Sequence, residues 1–311
     1  MKRRDDEYLW DPTGTPDADV QRLERLLGRF AHDGRGPRVD ASRRVSWAWL
    51  AGVGLVAAAG VVAVLALRGE PRSGGLDLVV DGRRLDTGER VTARGGDREL
   101  VLGGNVAWLT LRDGGALRVE RLAEQETLLA LEEGQLHAFV APTARPEFFK
   151  VDTPAARCVD MGCVYDLRVL PGGDAHVVVT MGRVKFQDHG REVYVPSMAE
   201  CSASRELGAG TPRYLDTATA VVAALDAFDA AGVQAKIDRA YLAATVLDQL
   251  ERPRDALIAW HLLQDREAPV ARAAVRKLET LVGRPEGLDA AAGEVPTAAD
   301  RERWKQHLGW W

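Results

Sequence analysis

The side chains of this 311-residue sequence that could do chemistry are few and scattered. Cysteines stand at 158, 163 and 201, and histidines at 32, 137, 176, 189, 261 and 307. A cysteine nucleophile needs a base in reach to hold it as thiolate. No histidine adjoins Cys163, and His176 lies on a separate turn. Cys158 and Cys163, separated by four residues, have no second pair to complete a tetrahedral zinc site. The sequence also has no glycine-rich phosphate loop, HExxH helix or GxSxG elbow. It therefore reads as a non-enzyme, with no catalytic, cofactor-binding or metal-binding residues to assign. The densest cluster, Asp160-Met161-Gly162-Cys163, needs another explanation.

That cluster sits inside FFKVDTPAARCVDMGCVYDLRV (148–169), which reads as two strands with a corner between them. Thr153-Pro154 ends the first, because proline cannot donate to an inner ladder. Gly162 gives the chain a place to turn or bulge, and Asp160 can accept turn amides. Val164, Leu167 and Val169 break strict alternation, so a bulge is expected there. Flanking segments alternate in the same way: LDLVV (76–80), RVT (90–92), ELVL (99–102), AWLTL (107–111), ALRVE (116–120), TLLALE (127–132) and LHAFVA (136–141). HVVVTMG, VKFQ and EVYVP follow. Turns are expected at Asp81-Gly82, Thr87-Gly88, Gly103-Gly104, Asp113-Gly114-Gly115 and Glu133-Gly134. Together they predict a mainly β unit over 76–201, a sandwich, roll or barrel of about a dozen strands.

Beyond Pro212 the period becomes helical. Helices are expected over 218–232, 236–252, after Pro253, from Pro269 to Gly283, and over 298–308, ahead of Trp310-Trp311. The expectation is a small all-α C-terminal domain over 213–311. Trp260 and His261 read as packing residues rather than ligands.

The 23 residues of 45–67, VSWAWLAGVGLVAAAGVVAVLAL, carry no charge. As a helix they would cover roughly 34 Å, enough to cross a bilayer. Trp47 and Trp49 at one end suit the headgroup layer. One transmembrane helix is therefore expected, followed by a tether over 68–75. Arg35, Arg38, Arg43 and Arg44 before the run, against Arg68 and Arg72 after it, place the N-terminus in the cytoplasm and the rest outside.

Residues 1–44 hold ten basic and nine acidic side chains, too balanced for strong attraction to lipid. Thr15-Pro16-Asp17 starts a helix on which Val20, Leu23, Leu27 and Phe30 share a face, with Leu26 beside it. That face and the cluster Tyr8-Leu9-Trp10 suit a cytoplasmic protein partner. The net charge of −5 argues against direct nucleic-acid binding.

The succession VVDGRRLDTGERV, WLTLRDGGALRV, LLALEEGQLHAFV, FFKVDTPAARCVDMGCVYDLRV, HVVVTMGRVKF and EVYVP resembles the FecR domain over about 76–201. Asp160-x-Gly162-Cys163-x-Tyr165, with Cys201 ahead of Gly210-Thr211-Pro212, resembles a cysteine-bearing subgroup with a helical end. The resemblance implies a FecR-like β sandwich or roll in the periplasm of an inner-membrane, single-pass regulator. It also implies a cytoplasmic extracytoplasmic-function sigma factor as partner, held in anti-sigma fashion by Tyr8, Leu9, Trp10, Leu23, Leu26, Leu27 and Phe30. An outer-membrane or periplasmic protein could be a second partner. By the subgroup's positions Cys163 and Cys201 form a disulfide, with Cys158–Cys163 and three free thiols as the alternatives. The other reading of the whole chain is a membrane-anchored periplasmic binding or scaffold protein without sigma-factor contact.

Overall fold

The computed structural model describes residues 77–103, 106–188, 191–231, 238–288 and 294–309. The expected cytoplasmic segment, transmembrane helix and tether lie outside these residues, as do Trp310 and Trp311. Among the described residues no helix is long and apolar enough to cross a membrane.

The β part is two half-sheets joined by one strand. β1 (Leu78–Val80), β2 (Arg83–Leu85), β4 (Arg98–Leu102), β5 (Ala107–Leu111), β10 (Val164–Val169), β11 (Ala175–Met181) and β14 (Ala199–Ser204) belong to the first, with the two-residue strands β15 (Gly208–Ala209) and β16 (Arg213–Tyr214) on β14. β3 (Arg90–Thr92), β6 (Ala116–Ala123), β8 (Phe149–Asp152), β9 (Arg157–Asp160), β12 (Arg183–Asp188) and β13 (Arg191–Pro196) belong to the second. β7 (Glu126–Val140) serves both: its first half pairs with β6 and β8, its second with β5 and β10. All these pairings are antiparallel except β7 with β8.

β7 corrects the expected turn at Glu133-Gly134. Its buried positions are Thr127, Leu129 and Leu131, then Leu136, Ala138 and Val140, so the alternation changes phase across the Glu-Gly pair. The ladder to β6 slips at the same place, between Ala116↔Glu133 and Leu117↔Leu131. An extra residue bends the strand from one half-sheet to the other, which is what a bulge does. Gly134, at φ +84°, lies so close to Gly115 that a Cβ would fall 2.5 Å from its Cα.

Side chains from both half-sheets fill a single core. Leu100, Leu109, Leu136, Leu167 and Val177 enter from the first, and Leu117, Leu129, Val151, Phe186 and Val193 from the second. Helices follow: α1 (Thr219–Ala231), α2 (Arg239–Asp248), α3 (Ala256–Leu262), α4 (Ala268–Val282) and α5 (Ala298–Leu308). They pack a second core around Phe228, Trp260, Leu278 and Trp304. The helical and β parts together form one compact unit, Glu70–Trp311.

Candidate functional site

The Asp160 corner is where the chain changes half-sheets. Asp160 ends β9 opposite Val184 of β12, and four residues later Val164 opens β10 opposite Phe139 of β7. The expected two strands of 148–169 are three: Thr153 and Pro154 make a tight hairpin between β8 and β9, in which the Thr153 hydroxyl donates to Ala156 O at 2.7 Å. The expected bulge is present as a register slip between Val164 and Tyr165.

Asp160 is 2% exposed, and its carboxylate takes the Gly162 amide at 2.7 Å and the Cys163 thiol. Burial pushes its pKa up to about 6, against the pull of those hydrogen bonds. A second half-sheet crossing, at Met181-Gly182-Arg183 between β11 and β12, stacks on the first. A Cβ on Gly182 (φ +76°) would lie 2.3 Å from Gly162 O and 2.9 Å from Cys163 Cα. The two glycines let the backbones touch.

The thiols of Cys158 and Cys163 and the phenol of Tyr165 surround this carboxylate, and burial drives each of their pKa values well up. The Tyr165 hydroxyl is fully buried beside the Cys158 thiol. A cluster in which burial favours every neutral form supplies no nucleophile near neutral pH. Its geometry serves the crossing.

Cys201, on β14 opposite Val177, is a separate case. Its thiol faces Ser202 O at 3.4 Å and Gly210 O at 3.7 Å, and burial pushes its pKa up to about 12. All three thiols are free. The expected Cys163–Cys201 disulfide is therefore not formed in the structure: one sulfur is engaged by Asp160, the other by backbone carbonyls. Next to Cys201, Gly210-Thr211-Pro212 runs between β15 and β16 and is tied to α1 by hydrogen bonds. Asp229 of α1 accepts both the Thr211 amide (2.7 Å) and hydroxyl (2.9 Å), and a Cβ on Gly210 would strike that carboxylate.

His261 carries a role the sequence reading put down to packing alone. Its Nδ1 faces Leu257 O at 2.8 Å within α3, so Nε2 is left to accept the Tyr194 amide of β13 at 3.1 Å. β13 is the outer strand of the second half-sheet, and the helical part closes its edge. Burial lowers the His261 pKa to about 3, keeping the ring neutral. Only the pairing of an α3 side chain with a strand 67 residues earlier reveals this. His137 and His176 instead lie on the outer face of the first half-sheet, 3.2 Å from Asp166 and 3.4 Å from Glu200.

At the other end of β8 and β9, an open cleft of about 600 Å³ is lined by Asp152, Arg157, Asp188, Arg191, Glu192 and Arg205, among others. Arg157 is forked onto Asp152 (2.5 and 2.9 Å), and Arg191 donates to Ala209 O. Three guanidinium groups interleaved with three carboxylates favour no one ionic ligand. Among the described residues no group of three histidine, cysteine or acidic side chains is placed to hold a metal. The expected partner-binding residues Tyr8, Leu9, Trp10, Leu23, Leu26, Leu27 and Phe30 lie outside the described residues.

No family model matches the chain, and no curated protein matches it. Two crystal structures, at 2.50 and 1.65 Å resolution, of "a putative anti-sigma factor from Parabacteroides distasonis ATCC 8503" are similar to it at TM-scores of 0.36 and 0.35. Each is 16% identical, covering 44% of this chain and 63% of its own. The chain thus spans less than two thirds of those proteins, and a likeness this distant carries no argument about what it does.

Proposed function

We propose that the chain is a FecR-type, single-pass regulator of the inner membrane. In this reading residues 45–67 cross the bilayer and the β and helical parts lie in the periplasm. Tyr8-Leu9-Trp10 and the face bearing Leu23, Leu26, Leu27 and Phe30 hold a cytoplasmic sigma factor. The observation that carries it is the coherence of the resembling segments. From Val79 to Pro196 they fall in order on strands of one core, passing over β4, and its Asp-x-Gly-Cys and Met-Gly-Arg corners are the paired half-sheet crossings. Motifs scattered by chance would not land on mutually supporting parts of a fold.

Residues 1–44 fused to a carrier should recover a sigma factor, and substitution of Trp10 or Leu27 should abolish both recovery and reporter regulation. Recovery of none, with those substitutions silent, rejects the proposal. Deleting residues 2–40 separates it from the scaffold reading, which expects periplasmic function to survive with transcription unchanged.

A further inference from the structure

Cross-strand registers align one residue from each of six strands on the outer face of the first half-sheet. Val79 stands opposite Val101, Val101 opposite Trp108, Trp108 opposite Phe139, Phe139 opposite Val164, and Val164 opposite Met181. Every member of the row is apolar; Val79, Val101, Trp108 and Phe139 are half-buried and Val164 is 7% exposed. Their chain neighbours, such as Leu100, Leu102, Leu109 and Ala138, point the other way and are fully buried or nearly so in the core. The Trp108 and Phe139 rings lie 5.3 Å apart at 59°, and Met181 is 52% exposed. The row two residues along the same face is polar over four strands, Glu99, Thr110, His137 and Asp166, and reaches Val178 on the next, again in register. This face is therefore divided into an apolar band at one end of the strands and a polar field beyond it. The same strand ends carry two more exposed apolar side chains. The Met198 amide donates to Val179 O and the Leu215 amide to Met198 O, and their side chains are 51% and 47% exposed. Met198 is held at φ +62°, an uncommon conformation for a non-glycine residue, at the tip of this turn.

A contiguous apolar band on a solvent face marks something that covers it. Val79, its first member, is two residues past Asp77, where the described chain begins. Nine residues, 68–76, separate that point from the uncharged run 45–67. Even fully extended, they span at most about 32 Å. If 45–67 crosses a bilayer, as the proposed function requires, a tether of this length lets the band reach the lipid surface. Its composition fits that surface, since aromatic and aliphatic side chains suit the boundary between headgroups and acyl chains. The band itself has no lysine or arginine, and the adjoining row carries Glu99 and Asp166, so neutral lipid suits it better than anionic lipid.

We infer that the band from Val79 to Met181 is a bilayer-docking edge, seated in the headgroup layer of neutral lipid and fixing how the β part stands on the membrane. The inference rests on the single-pass reading, and one experiment separates the two. The full chain, in phosphatidylcholine nanodiscs, would be spin-labelled at Val101→Cys, at the exposed Met181→Cys, and at Arg118→Cys on the outer face of the other half-sheet. The native thiols are buried. Docking predicts collision with oxygen, relative to a water-soluble nickel chelate, several-fold higher at 101 and 181 than at 118. Equal ratios at all three sites, in a chain that alkaline extraction leaves in the bilayer, would overturn docking alone. A chain that washes out would overturn the span and docking with it. Dipolar coupling between labels at 101 on two chains, with aqueous ratios, would assign the band to a second copy instead.

Discussion

Two buried titratable side chains, Asp160 and His261, act on stability in opposite directions. Asp160 holds its proton up to about pH 6 when folded, against 3.8 ordinarily. Between those values the folded state binds more protons, so its contribution is present below about pH 3.8 and is lost as pH rises through 6. Over that window the change is on the order of 2–3 kcal/mol. His261 falls from 6.5 to about 3, so the unfolded state binds more protons and stability is lost as pH falls below 6.5. The two slopes oppose each other between about pH 4 and 6, and a substitution at either site removes its share of the pH dependence. Asp160→Asn should leave a protein that weakens steadily on acidification. His261→Phe should leave one that weakens less on acidification than the wild-type protein, at a cost of about 1–3 kcal/mol at neutral pH for the abandoned Tyr194 amide. Denaturant unfolding at pH 4.5 and 7 reads both. The thiols give a third prediction: with all three buried and their pKa values raised, the native protein at pH 8 should react slowly with a disulfide reagent, and denatured protein should titrate three thiols. Fewer than three would reveal a disulfide.

The elements depend on a few close backbone approaches. A methyl at Gly182 would enter the space of Gly162 O and Cys163 at the stacked crossings, and the same methyl at Gly88, also of positive φ, would meet open space. Gly182→Ala should therefore cost several kcal/mol, and Gly88→Ala only about 1 kcal/mol of backbone strain. Thermal unfolding midpoints of the two variants test the ranking. Comparable shifts would mean that the crossings can part without penalty. The strands that sequence patterning misses are those without bulky residues. β14, Ala-Glu-Cys-Ser-Ala-Ser, buries only Ala199, Cys201 and Ala203, yet it carries β11 on one side and β15 and β16 on the other. Alternation was there, but small side chains give it little weight. β9 was hidden by the corner that follows it.

At the scale of the whole described unit, the β and helical parts trade one residue each. Leu257 of α3 sits fully buried in the β core, and Tyr194 of β13 packs against the helical core, edge-on to Trp260 at 6.1 Å. Two parts that fill each other's cavities should unfold together. Leu257→Ala is expected to lower stability by about 2–5 kcal/mol and to shift helical and tryptophan signals to the same lower denaturant midpoint. Two separated transitions in the wild-type protein would show the parts to be independent.

The sequence alone determined the fold class: the period-two runs, the turn dipeptides and the change to helical period after Pro212 are local properties, and the strands and helices formed where those patterns lay. It also isolated the Asp160-Met161-Gly162-Cys163 corner, because glycine and aspartate announce a departure from the ladder. Tertiary structure decided what crosses between segments: that Glu133-Gly134 bends a strand rather than ending it, that two corners stack, that His261 closes a distant sheet edge, and that six valine, aromatic and methionine side chains form one row. Each depends on register or on a partner tens of residues away. Side-chain alternation says which face a residue occupies but not which residue of another strand stands beside it.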